Sequence, residues 1–374
     1  LDFHRRYYHP SNSYIYLYGN MDMEEKLNWL DQEYLSAYDR KEVDSEIHLQ
    51  KPFEQMHDIT KPYSIASNES TEDNTYLSYN MVVGEAADIN LSLAFEVLDY
   101  ALLSAPGAPL KQALLDAKIG KDIYGSFEDG IKQTYFSIVA KGANLSRKEE
   151  FIKVIRDTLT KIAEEGIDKK AVTAGINYYE FRFREADFSS YPKGLMYGLD
   201  ILSSWLYDDT KPFCEVQLLE GFEFLKKALE EGYFEELIRK YLLGNTHGAI
   251  LSLVPEKGLA AKRDKELEEK LENYRKSLSD EELTRMVENT KALEAYQEAE
   301  EAPEALTCIP MLSREDIKKE ITGLTNEEHH VEDSLFLYHD VCTNGIGYAD
   351  LLFEIHGFDV DTVHYLGLLK SVLG

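Results

Sequence analysis

Apolar and polar positions alternate through Ser13-Tyr14-Ile15-Tyr16-Leu17-Tyr18, which predicts a strand closed by Gly19-Asn20. Leu27, Leu30, Tyr34 and Leu35 then fall on one helical face. From Val43 to Lys61 no period holds and Pro52 interrupts, so this stretch reads as a surface linker. Tyr76 to Val83 predicts the next strand. Asn90 to Leu103 carries Leu91, Phe95, Leu98 and Leu102 at helical spacing, and Ala105-Pro106-Gly107-Ala108-Pro109 breaks it before a short helix from Leu110 to Ala117. Strands follow at Ile123-Tyr124 and Thr134 to Lys141. Helices are predicted over Arg147 to Glu164 and Asp168 to Arg184, parted by Gly166, then over Gly194 to Trp205, Leu218 to Ala228 and Tyr233 to Leu242. Gly248 to Pro255 closes the series as a strand. The strand-rich meander between Tyr76 and Lys141 favours an α+β layer over a doubly wound parallel sheet.

From Leu259 to Glu301 the chain is strongly charged and almost free of β-branched residues. Ser279 followed by Glu282 forms a capping box, so the stretch reads as a helical hairpin, more a solvated connector than a coiled-coil arm. Pro303 and Pro310 bracket a short segment expected to be extended. Two internal echoes are visible. Tyr7 to Asn20 is echoed by Tyr241 to Leu253, and the strand and helix from Asn74 to Leu103 by Gly345 to Ile355 with the helix-like tail after Asp361.

Composition narrows the function. Forty Lys+Arg against 69 Asp+Glu leave a net charge of −29 over 374 residues, which argues against nucleic acid and against an anionic membrane surface. A hydrophobic content of 44% separates the chain from disordered acidic sequences, so the charge sits on folded surfaces. Cys214, Cys308 and Cys342 form no CxxC pair, which reads as a reducing, cytoplasmic setting. Leu1 is not an initiator Met and the last residues stop inside a helical pattern, which predicts a piece of something longer.

Among the ten histidines no two stand four apart, so no helix can offer two imidazoles to one zinc. Glu327-Glu328-His329-His330-Val331-Glu332 has metal-ligand residue types, but adjacent side chains on an extended segment point to opposite faces. It reads as a polar lead into the next strand. Gly107 and the Gly345-Ile346-Gly347 turn lack the lysine and spacing of a phosphate loop, and no GxSxG is present. Glu180 and Arg184 read as an ordinary i, i+4 pair. No catalytic, cofactor-binding or metal-binding residue is assigned.

Several segments together resemble one family. They are Phe3-His4-Arg5-Arg6-Tyr7-Tyr8-His9-Pro10-Ser11-Asn12, Ala108 to Leu115, Asn177-Tyr178-Tyr179-Glu180-Phe181-Arg182-Phe183-Arg184-Glu185, Ser190-Tyr191-Pro192-Lys193-Gly194-Leu195, Trp205 to Asp208 and Thr343 to Ile346. The chain resembles zinc metallopeptidases of the insulinase/pitrilysin type, in the presequence-protease branch. That resemblance implies four related α+β domains in two halves, joined by a helical hairpin around a peptide-sized chamber. On it, 1–43 is the end of the first, catalytic-type domain and 44–61 a linker. Residues 62–258 are the second αβ domain, with a mixed or antiparallel sheet, 259–305 the hairpin and 306–374 the start of the third domain. It further implies zinc bound outside this chain, at an HxxEH helix that the chain lacks. The implied partners are peptide substrates and the remaining domains of its own full-length chain, with no nucleic acid and no membrane. The alternative is a chamber or scaffold subunit, or a peptide-binding module, without metal chemistry.

Overall fold

The computed structural model describes residues 1–309, 311–317, 319–320, 323 and 326–373. Two short helices, α1 (Asp2–Tyr7) and α2 (Met23–Glu33), open the chain, and no residue before Thr60 is buried. Five strands form one mixed sheet: β1 (His57–Ile65), β2 (Thr75–Glu85), β3 (Asp122–Glu128), β4 (Gln133–Ala143) and β5 (Gly248–Lys257). Their order is β1-β5-β2-β4-β3, with β1 parallel to β5 and the other neighbours antiparallel.

Between the strands lie α3 (Ile89–Asp99), α4 (Pro109–Asp116), α5 (Lys148–Glu165), α6 (Lys169–Glu185), α7 (Lys193–Trp205), α8 (Leu219–Ala228) and α9 (Tyr233–Leu237). Helix α3 runs on through a π-helical turn at Tyr100–Ser104, as α9 does at Ile238–Leu243. Alternation in β2 sends Leu77, Tyr79, Met81 and Val83 into the core, where they join Phe136 and Ile138 of β4, Phe95 and Leu98 of α3 and Phe151 and Ile155 of α5. The Tyr79 hydroxyl donates to the Leu242 carbonyl at 2.9 Å, which satisfies the polar end of a buried ring. The turn between α5 and α6 needs Gly166 at φ +100°. The buried Glu235 accepts the Ile167 amide there at 2.9 Å, and Asp168 caps α6.

The charged region folds as α10 (Leu259–Ser277) and α11 (Asp280–Glu298), and both hydrogen bonds of the Ser279–Glu282 capping box are formed. Only Leu259 of the two helices is buried. The chain divides into two compact units, Leu1–Gly323 and Leu324–Gly374.

Four expectations change. Ser13 to Tyr18 is extended, but it has no strand partner among the described residues, because alternation prepares a strand and only a neighbour makes one. Residues 57–61, read as part of a linker, begin β1. Pro62 and the charges of Asp58 and Lys61 hide its period, and an edge strand tolerates that proline. The segment expected to be extended contains a helical turn, α12 (Pro303–Leu306), with proline at its start; Pro310 lies outside the described residues. Gly345 to Ile355 forms no strand. The sequence before it does: Glu327–Val331 (β6) and Ser334–Tyr338 (β7) make an antiparallel hairpin, so the His329-His330 stretch is itself a strand. This hairpin and α13 (Val360–Leu373) belong to the second unit.

Candidate functional site

The second face of the sheet differs in chemistry from the first. Tyr76, Ser78, Asn80 and Val82 of β2 lie there beside Tyr135, Ser137 and Val139 of β4, and all but the small Ser78 and Ser137 remain partly exposed. Asn80 sits at its centre. Its amide nitrogen donates to the Ser78 hydroxyl at 2.8 Å and to the Ala249 carbonyl at 3.1 Å, while its oxygen accepts from Ser137 at 2.7 Å. The sheet thus has an oily face turned to helices and a face of hydroxyls, amides and aromatic rings.

At the end of β2 the sheet is notched. Strand β5 starts opposite Met81, whereas β2 and β4 continue together to Glu85 and Gln133. The turn before β5 closes the notch on one side: Val82 donates its amide to the His247 carbonyl at 2.9 Å, and Asn245 donates to the Val82 carbonyl at 2.7 Å. A cleft of about 1120 Å³ opens at this place, lined among others by Glu85, Asp88, Lys211, Cys214, Lys240 and His247. His247 is only 6% exposed and stands edge-on to Phe53 at 4.7 Å, and burial lowers its pKa, which favours the neutral ring. Cys214 donates to the Ser204 hydroxyl at 3.1 Å. That partner is a hydroxyl and not a base able to take the thiol proton.

Beside it lies a group of carboxyls on different elements. Burial, with the repulsion of Asp129 and Glu215 added, raises Glu96 to about 8. Burial and the charges of Asp129 and Asp200 raise Glu215 to about 8. Burial likewise raises Asp99, Asp129 and Asp200. One Asp99 oxygen is buried without a hydrogen-bond partner and the other accepts from Ser104. No feature of the sequence pointed to this cluster, since its members come from α3, the β3–β4 turn, α7 and the loop after it.

The residues weighed from sequence are scattered. His329 and His330 are exposed on β6, with His329 near Glu327 at 3.5 Å. Among the described residues no group of three or more His, Cys, Asp or Glu is arranged to hold a metal ion. Glu180 and Arg184 do pair, at 2.8 Å, and Lys226 joins them at 2.7 Å. Although burial raises Glu180, hydrogen bonds from Lys226 and Arg184 prevail and hold it below the usual carboxylate range. The three cysteines are free, and no helix among the described residues is long and apolar enough to cross a membrane.

A mixed sheet with helices packed on one face is the architecture of a metallopeptidase-type αβ domain. A protease from Helicobacter pylori shares the fold, with a TM-score of 0.52 over 68% of this chain and 57% of that one, at 16% identity. The chain belongs to the M16 peptidase family, a zinc metallopeptidase type, in its presequence-protease-like branch. Residues 1–179 match the family model described as "Peptidase M16 inactive domain", and residues 253–374 match the model for the region associated with subfamily C of the same peptidases. "Protein HypA" of Clostridium perfringens is 44% identical over the whole chain, and "Presequence protease 1, chloroplastic/mitochondrial" of Arabidopsis thaliana is 33% identical over 95% of it. The chain spans 38% of the first relative and 33% of the second.

Proposed function

We propose that this chain is the non-catalytic middle region of a zinc-dependent peptidase that degrades unfolded peptides in a closed chamber. The observation that carries the reading is the match of residues 1–179 to the inactive M16 domain, along a chain that aligns end to end with a much longer relative. The hydroxyl- and amide-lined sheet face serves as chamber wall, where side chains can meet many peptides without fixing one sequence. Residues 259–305, whose helices bury almost nothing of their own, serve as the hinge between halves. Zinc would be held outside this chain, at an HxxEH helix contributed by another domain, and would there supply the activated water for peptide hydrolysis. Residues 1–43 are then the end of the catalytic-type domain, 57–258, from the start of β1, the second domain and 306–374 the start of the third. Three free thiols support a reducing, cytoplasmic compartment.

The test is a longer product carrying this chain in the same reading frame. It should hold one zinc and cleave unstructured peptides, and substitution of the HxxEH glutamate should abolish cleavage while zinc stays. A longer product that has no HxxEH helix and no zinc, yet binds the same peptides, would establish the scaffold reading instead.

A further inference from the structure

Ser13 to Tyr18 lies on α7 in a way that chain alternation alone does not explain. The Tyr14 ring stands 4.6 Å from Trp205, and its hydroxyl donates to Asp209 at 2.6 Å. Two turns back along α7, the Tyr16 ring covers Gly198. One turn further, Tyr18 covers Gly194 and stands 6.0 Å from Tyr197. A methyl group on Gly198 would come within 2.9 Å of the Tyr16 ring. On Gly194 it would collide with the Tyr18 ring and come 3.0 Å from the Tyr18 Cβ, so that swinging the ring aside gives no relief. Both glycines have ordinary helical backbone, and in that setting alanine is the better helix former. Their use here follows from the rings they admit.

We propose that Gly194 and Gly198 form a seat on α7 for a tyrosine strap, Tyr14-Tyr16-Tyr18. The seat holds the N-terminal layer in register on the αβ domain and is the first joint between them to open. Three observations favour early opening. No residue before Thr60 is buried, so the layer has no core of its own. Tyr14 and Tyr18 stay 40% and 52% exposed while seated. Among the described residues no backbone–backbone hydrogen bond ties 14–18 to α7. Further attachments lie at a different place, where Lys132 donates to the Ile47 carbonyl and Gln133 exchanges hydrogen bonds with Gln50.

The seat can be read in the 374-residue chain. With Trp29 replaced by Phe, Trp205 is the single reporter beneath Tyr14. The G194A/G198A variant should red-shift Trp205 emission, raise its acrylamide quenching several-fold, and speed hydrogen exchange and proteolysis across 13–56. Far-UV circular dichroism and the main thermal transition should hold. Y16A/Y18A, which leaves α7 untouched, should do the same. Adding Y16A/Y18A to G194A/G198A should produce no further release and should recover the helix-stabilising effect of alanine, a coupling that two unrelated lesions would not show. Unchanged Trp205 emission in both variants, or simple additivity of the two, would overturn the proposal.

The consequence for catalysis rests on the reading of 1–43 as the end of the catalytic-type domain. In a longer, active product G194A/G198A should lower kcat/KM for peptides several-fold at unchanged zinc content. Release of the strap with unchanged cleavage would remove the positioning role. Loss of the peptidase reading would leave the strap measurement standing.

Discussion

Glu96 and Glu215 stand out among the described carboxyls because burial and neighbouring carboxylates raise each to about 8. Each has a folded pKa near 8 against an ordinary value of 4.5, so the native state keeps protons that the unfolded chain has released. Between those values the native state binds more protons, so stability falls as pH rises through the window, and the loss is complete above about 8. Glu96→Gln and Glu215→Gln remove the charge while keeping the shape. Each should stabilise the chain by about 1 kcal/mol or more at pH 9, the worth of roughly one pKa unit, and should match the parent below pH 4.5. Thermal melts across that range check this, and a gain independent of pH would count against the cluster. None of it could be read from the sequence. Residues 96, 129, 200 and 215 are distant along the chain, and among many carboxylates only the fold distinguishes those it crowds.

Whole elements were more legible, and the reasons are physical. Strands β2 and β4 and helices α5 and α6 declare themselves because each has one face against the core, which imprints a period on the sequence. The hairpin was found by its cap and its charge. The edge strand β1 was not, because it draws its order mainly from nine paired positions along β5 and buries only Ile65 of its own side chains. Ser13 to Tyr18 shows the converse, a strand-like pattern whose docking partner no local signal could name. The hairpin also offers a test at this scale. Ser279→Ala removes the bond that the Ser279 hydroxyl accepts from the Glu282 amide, leaves the Ser279 amide bonded to the Glu282 carboxylate, and should cost about 0.5–2 kcal/mol of α11 stability. Hydrogen exchange should quicken over 280–284 with the main unfolding transition unmoved, since α11 buries nothing; a matching fall in global stability would show that α11 is part of the core after all.

For the molecule as a whole, the division of labour in the M16 family explains features that looked unrelated. The −29 charge belongs to a region that spans about a third of its longer relatives, so it need not be the balance of the whole protein. On the proposed function, the open sheet face and the cleft at its notched end would face the chamber and its peptides, and the seat on α7 would hold the end of the neighbouring domain. The central claim, that this region belongs to a peptidase without performing its chemistry, is tested most directly by measuring zinc content and peptide cleavage on the purified 374-residue chain. The account predicts no stoichiometric zinc and no cleavage above background for unstructured peptides. One zinc per chain, or robust cleavage that a chelator abolishes, would contradict it.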